Sequence, residues 1–363
     1  FRSKVYMPTR WPASGIIFSS LESLERELTL NIQRQVLLTN RNTLRLPTRA
    51  EYLVDVDSEA QIVEALSYAR QRRWPVTVLG GGSNSVLAQD LAGLVICVGT
   101  RGIDVTGERV VAAAGEPWDN LVRQTIKAGL FGLENLTLIP GLVGAAPIQN
   151  IGAYGVELAA MVETVHAIDM DTGQALVLSN LDCQFGYRDS IFKQALRQRV
   201  IITQVCLQLR RDFLPQLDYA DLQRWQVLQA PENITAEQVS RAVAEIRQKK
   251  LPDPAMVGNV GSFFKNPQID ADLWHQLRQD FPGLPAREQA DGSWKLSAAW
   301  LIDALGLKGL KVGDAAVSDQ HALVLVNMGK ATGQDVLGLA RQVQQQVMNR
   351  FNLPLEIEPV IVP

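Results

Sequence analysis

The sequence predicts a multi-layer α+β enzyme of two or three domains. Its length of 363 residues exceeds what one core of about 250–300 residues can hold. From about residue 52, short apolar runs alternate with amphipathic helical periods, the pattern of sheets covered by helices. No fixed-period repeat and no low-complexity tract occurs, which excludes solenoids and propellers.

The elements follow in order. YLVDV (52–56) reads as a strand, then Ser58 opens a helix with Gln61 as its capping-box partner. Ile62, Ala65, Leu66 and Ala69 fall on one face of that helix, which should lie on a sheet. Strands are then expected at PVTVL (75–79), LVICV (94–98), RVVAAA (109–114), around 162–170, at 199–209 and at ALVLVN (322–327). Asp171, Thr172 and Gly173 read as a hairpin turn. One later helix is capped by Thr235 with Gln238, and a second runs from Ser297 to a stop at Gly306. A long one from about Thr332 carries Val336, Ala340, Val343, Val347 and Phe351. The polar, proline-containing stretch 210–233 reads as a domain boundary.

The formal charge of −3 supplies no field for phosphate backbones or anionic lipid. No apolar run approaches the ~18 residues that a bilayer requires. Cys97, Cys183 and Cys206 are scattered and odd in number, which argues against a disulfide scaffold or zinc site and for a reducing cytoplasm. The N-terminal stretch begins basic, but its apolar part is only Gly15 to Phe18, too short for a secretory signal. Residues 1–33 therefore read as an extension outside the fold. The histidines His166, His275 and His321 have no metal-ligand spacing, and no metal is expected.

Five segments carry chemistry. GGGSN (80–84) follows a strand; its bare backbone N–H groups, with the Ser83 and Asn84 side chains, suit a diphosphate, although the Rossmann glycine spacing is absent. Residues 129–155 hold six glycines and one charged residue, Glu134, where the chain-wide 20% would give about five. Composition alone leaves that segment as either a cofactor wall or a buried crossover. FGYRDSIFK (185–193) places Arg188 beside Asp189, an acid that could hold the guanidinium ready to clamp a carboxylate. KKLPDPAMVGNVGSFFKNP (249–267) mixes small, aromatic and cationic groups in a way that suits an anionic substrate. In LEIEPVIV (355–362), Glu356 and Glu358 share a face of a strand-like segment, and one of them should point inward.

GGGSN, GLENLTLIPGLVGAAPIQNIGAYGVE, FGYRDSIFK, LPDP and GNVGSFFKNP occur here in that order. Together they resemble the UDP-N-acetylenolpyruvoylglucosamine reductase family, over roughly residue 35 to the end. The resemblance implies a two-subdomain FAD-binding module of the p-cresol-methylhydroxylase and vanillyl-alcohol-oxidase type, plus a C-terminal α+β substrate-binding domain. The implied division is 34–100 with 351–363, then 101–230, then 231–350. It also implies non-covalent FAD, NADPH as co-substrate and cytoplasmic peptidoglycan precursor synthesis; the sequence leaves the oligomeric state open, with a monomer favoured.

By the same resemblance Arg188 and Glu358 stabilise the anion formed on hydride addition, and Ser262 protonates C2. FAD would lie along Gly80, Gly81, Gly82, Ser83, Asn84 and Ser85, then Ile139, Pro140 and Gly141, then Gly144, Ala145, Ile148 and Gly152. The nucleotide sugar would meet Tyr154, Tyr187, Tyr219, Lys250 and Asn266, with Tyr219 on a closing loop. The chain departs from the family pattern at NTLRL (42–46), at His321 and inside LEIEP. Three alternatives follow from the residues: another oxidase of the same FAD fold, a non-catalytic flavin or nucleotide-sugar binder, and a flavin-free nucleotide-sugar transferase.

Overall fold

The computed structural model describes residues 30–229 and 233–363, so the expected extension 1–33 lies almost wholly outside the described residues. Leu30 is already buried, and β1 (Gln33–Leu37) pairs antiparallel with β2 (Arg49–Val56). Helix α1 (Glu59–Arg72) follows, with Ser58 accepting from the Gln61 N–H at 3.2 Å. The reciprocal bond goes one residue earlier than expected, from Asp57 N–H to Gln61 Oε1 at 2.7 Å. Next come β3 (Val76–Leu79), β4 (Ser85–Leu87) and β5 (Leu91–Val98). The first sheet has the order β1-β2-β5-β3, with β2 and β3 both parallel to β5.

Strand β5 is buried on both faces, as a central parallel strand must be. Leu94, Ile96 and Val98 enter a core with α1, while Leu91, Val95 and Cys97 enter a second core on the opposite side. The first core continues into a second sheet. β6 (Ile103–Thr106) and β7 (Arg109–Ala113) lead to α2 (Trp118–Lys127), and the short pair β8 (Gly152–Ala153) and β9 (Val156–Glu157) leads to β10 (Val162–Asp169), β11 (Ala175–Ser179) and β12 (Val200–Gln208). These give an antiparallel sheet of order β11-β10-β12-β7-β6, with the expected turn at Gly173.

The stretch 210–233, expected to mark a domain boundary, contains a helix of its own. It holds α3 (Ala220–Gln229), whose buried Leu222 packs with Val239, Ala242 and Val243 of α4 (Ala236–Lys250) and with Tyr154. Thr235 and Gln238 close the capping box on α4, as expected.

The rest of the chain builds the second core. Strand β13 (Gly258–Ser262) precedes β14 (Gln268–Ile269), α5 (Ala271–Asp280), β15 (Ala286–Glu288) and β16 (Trp294–Leu296). Helix α6 (Ala298–Ala304) is capped by Ser297 and ends before Gly306. β17 (Lys311–Val312), β18 (Ala315–Val317), β19 (Val324–Asn327), α7 (Gly333–Phe351) and β20 (Val360–Val362) complete the chain. β13, β19, β18 and β17 form one sheet, and β14, β16 and β15 another. Val336, Ala340, Val343, Val347 and Phe351 of α7 are buried in the core that the first sheet also fills. Strand β20 returns to pair in parallel with β4. None of the described helices is long and apolar enough to cross a membrane.

The first residue of α7 is the tightest joint between these parts. A Cβ on Gly333 would meet the Leu87 carbonyl oxygen and lie 2.7 Å from Ala88 Cα, both backbone atoms that cannot swing aside. Gly333→Ala is expected to cost about 1–3 kcal/mol, read from urea unfolding midpoints.

Candidate active site

Residues of β3, β12, β13, β15 and β16 and of the loops between them line one cavity of about 2010 Å³. Ligand sites usually run to about 300–1,000 Å³, so this space admits a cofactor and a substrate together. One wall is the turn after β3, and the other is the glycine-rich segment after α2. Their backbones nearly touch: a Cβ on Gly81 would sit 3.3 Å from Gly141 Cα, and one on Gly141 would sit 2.7 Å from Ser83 Oγ.

The side chains of that turn are committed to the opposite wall rather than left as ligand donors. Ser83 Oγ donates to the Pro140 carbonyl at 2.9 Å, and Asn84 Nδ2 bonds to Gln149. The backbone N–H groups of Gly81, Gly82, Ser83 and Asn84 donate to no described acceptor. They are the free donors of this wall, and a row of bare N–H groups is a setting for phosphate oxygens. Gly80, Ser85, Ile139, Gly144, Ala145, Ile148 and Gly152 line the same cavity.

The cationic centre is built by two distant pieces of chain. Gly186 and Asp189 exchange backbone hydrogen bonds of 3.0 and 3.2 Å around a tight turn in which Arg188 adopts φ +54°. A non-glycine residue held there is uncommon, and such positions cluster at functional sites. The expected partnership of Arg188 with Asp189 does not form. Asp189 instead accepts from Ser190 N–H and Gln194 Nε2, both at 2.9 Å. Arg188 Nη2 donates to the Gly152 carbonyl at 2.6 Å, and Nε reaches Glu358 Oε1 at 3.0 Å. Adjacent residues in a tight turn point apart, which frees the guanidinium for a carboxylate 170 residues away in sequence.

Glu358 is placed by the C-terminal segment. Lys265 N–H donates to the Glu356 carbonyl at 2.9 Å, and Glu358 N–H donates to the Phe263 carbonyl at 3.0 Å, next to Ser262. Sharing a face did not give the two glutamates one environment. The Glu356 side chain is 70% exposed and pairs with Lys265, whereas that of Glu358 is 12% exposed and faces the cavity. Burial pushes the Glu358 carboxyl above the usual glutamate range, against the pull of Arg188 and then of Lys193 and Lys265. The Lys193 ammonium is lowered by burial and by Lys265. Ser262, at the end of β13, also lines the cavity, and its hydroxyl bonds to no described residue.

Tyr154, Tyr187, Tyr219, Lys250 and Asn266 all border the same space. Tyr154, at φ +49°, meets Tyr219 edge-on with ring centroids 5.1 Å apart, and burial pushes its phenol up to about 12. Lys250 is not a free donor here: it forms an ion pair with Asp221 in the first turn of α3. Asn266 Oδ1 accepts from Ala298 N–H at 3.0 Å, which leaves its amide nitrogen for a ligand.

The match to the family model "UDP-N-acetylenolpyruvoylglucosamine reductase, C-terminal domain" covers residues 253–362, and that to "FAD binding domain" covers 50–179. The UDP-N-acetylenolpyruvoylglucosamine reductase of Pseudomonas putida is 45% identical over 337 residues, 92% of this chain and 99% of that protein. That of Chromobacterium violaceum is 46% identical, over 92% and 100% of the two chains. The chain belongs to the UDP-N-acetylenolpyruvoylglucosamine reductase family. The crystal structure of the reductase from Thermus caldophilus superposes with a TM-score of 0.66 at 30% identity, covering 92% of this chain and 100% of that one. The fold is accordingly a two-sheet FAD-binding unit with the reductase family's C-terminal α+β domain.

The family reading needs a flavin dinucleotide, and the cavity walls fit one. The glycines let the walls pack against neighbouring backbone where a Cβ would clash, which leaves a bare main-chain surface, and the unpaired N–H groups of Gly81 to Asn84 suit a diphosphate. Among the cavity residues that the sequence reading of this family member missed are Arg247, Arg287 and Lys295. Arg247 lies one helical turn before Lys250, a spacing that could have revealed it. Lys295 sits on β16 in no recognisable motif.

Folded Glu358 holds its proton more tightly than the unfolded chain does. Its contribution to stability is therefore full below the ordinary glutamate range and is lost as pH rises through the elevated value. Glu358→Gln cannot titrate and is expected to flatten that fall in urea unfolding as pH rises above the ordinary glutamate range. A slope equal to that of the wild type would remove Glu358 as its source.

Proposed function

We propose that the chain catalyses NADPH-dependent, FAD-mediated reduction of the enolpyruvyl group of UDP-N-acetylenolpyruvoylglucosamine to UDP-N-acetylmuramate, in peptidoglycan precursor synthesis. The observation that carries this is the Arg188–Glu358 contact at 3.0 Å, in one cavity with Ser262 and with the glycine-lined walls. FAD, recharged by NADPH, supplies the hydride for C3 of the enolpyruvyl group.

Hydride addition leaves negative charge spread over C2 and the carboxylate, and fixed positive groups must already be aimed there. Arg188 spends one N–H on Gly152 and one on Glu358, and a guanidinium has five. The remaining donors can hold the substrate carboxylate. Glu358 fixes the orientation of the fork, while Lys193 and Lys265 add positive potential from behind. Ser262 delivers the proton to C2. A serine hydroxyl is a weak acid, so it relies on that same positive surround to stabilise its conjugate base.

At the far end, the Asn266 amide and the Lys250 ammonium hold the nucleotide sugar diphosphate, which must displace Asp221 from Lys250. Tyr154 and Tyr219 close over the substrate and exclude water. The cytoplasm is the compartment that suits the three buried free thiols.

The test is anaerobic. Flavin-loaded protein is bleached with NADPH, the enolpyruvyl nucleotide sugar is added, and return of the yellow colour is timed. Ser262→Ala is expected to keep the bleaching rate within about twofold and to slow recolouring by roughly 10² or more. Equal slowing of both steps would mean that Ser262 is not the proton donor.

A further inference from the structure

Strand β16 is the middle strand of its three-stranded sheet, and its register sets Lys295 directly opposite Arg287 on β15 and Gln268 on β14. Directly paired residues share one face of a sheet, and like charges in that position repel. Both cations line the large cavity, and neither has a carboxylate within ion-pair distance among the described residues. Lys295 Nζ instead lies 3.7 Å from the centroid of the Tyr187 ring.

The nearby acids are otherwise engaged. Glu157 is held by Asn150 Nδ2 at 2.9 Å, and Glu358 by Arg188 at 3.0 Å. Glu288, next to Arg287 on β15 and paired across the sheet with Trp294, also lines the cavity, but it reaches neither cation within ion-pair distance. Burial lowers the Lys295 ammonium; Glu157 opposes this, and Arg188 and Arg287 add to it. Two facing cations at a cavity wall are the arrangement that a bound phosphate would relieve.

We propose that Arg287 and Lys295 form a phosphomonoester site that takes the ribose 2′-phosphate of NADPH, and so selects this reductant over NADH. The inference rests on the reading above, in which a nicotinamide dinucleotide and the nucleotide sugar use one cavity in turn. The sugar substrate's two anionic groups already have partners, its carboxylate at Arg188 and its diphosphate at Lys250 and Asn266. The third phosphate of NADPH has none of these. A planar guanidinium fork beside a compact ammonium matches a dianionic monoester, which NADH lacks.

The flavin-loaded protein is titrated calorimetrically with 2′,5′-ADP and with 5′-AMP, probes that differ in the phosphate concerned. Wild type is expected to prefer 2′,5′-ADP by about tenfold or more, and Arg287→Gln and Lys295→Gln each to erase most of that preference. The ratio of KM for NADH to KM for NADPH, from flavin bleaching, should fall in parallel. A merely structural role for Lys295 beneath Tyr187 would lower Tm and weaken both probes equally. Removing one of two facing like charges is instead expected to leave Tm at or above that of the wild type.

The proposal is overturned if wild type shows no preference between the probes. It is also overturned if the preference survives both substitutions, or if the loss falls on flavin recolouring by the nucleotide sugar with the NADH-to-NADPH ratio unmoved. A wild-type protein that neither dinucleotide bleaches would sink the reductase reading, and the 2′,5′-ADP titration would still decide the site.

Discussion

The contact between Arg188 and Glu358 is what the site depends on. Their side chains are 19% and 12% exposed, so both charges have largely left water. Such a pair rarely adds stability over apolar residues of similar volume, because desolvation offsets the attraction. It persists here with its remaining donors directed at the Gly152 carbonyl and into the cavity. For the proposed reaction the arrangement is preorganisation: the positive group is fixed in place before any anion develops, and solvent need not reorganise when it does. Everything around the pair serves to hold it. The left-handed backbone at Arg188 aims the fork, and the bond from Glu358 N–H to the Phe263 carbonyl ties the carboxylate to the strand that presents Ser262.

Much of the fold was legible because local chemistry and global packing agree. Thr235 with Gln238, Ser297 and Thr332 each cap the helix they were expected to cap, and the apolar face of α7 is the face that is buried. Strands at LVICV and 109–114 formed where alternating or continuous apolar runs required them. Helix α3, inside the stretch 210–233, went unread because its apolar residues form no clear stripe. Leu222 is buried and Trp225 packs against its small core, while Val227 and Leu228 face solvent, so no single apolar face announces the helix.

The site was legible as segments and not as contacts. Glycine-rich and motif-bearing stretches were found, and their residues do share one cavity. The partners were missed wherever they come from far away in sequence. Arg188 was paired with its neighbour Asp189, yet a two-residue turn sends adjacent side chains apart and the C-terminal segment 170 residues later supplies the acid. Lys250 and Asp221 meet because α3 folds against α4, which no motif announces. Arg287 and Lys295 face each other through a strand register that their sequence separation alone does not fix.

Strand β5 sends alternate side chains into two hydrophobic cores. A chain of this length would ordinarily be free to lose one part while keeping another. Here a single ribbon is the shared wall of both interiors, so emptying either one strips half the neighbours from the strand that supports the other. The two interiors are thereby coupled through one strand, and the glycine-rich turn that lines the cavity lies only a few residues before that wall in sequence.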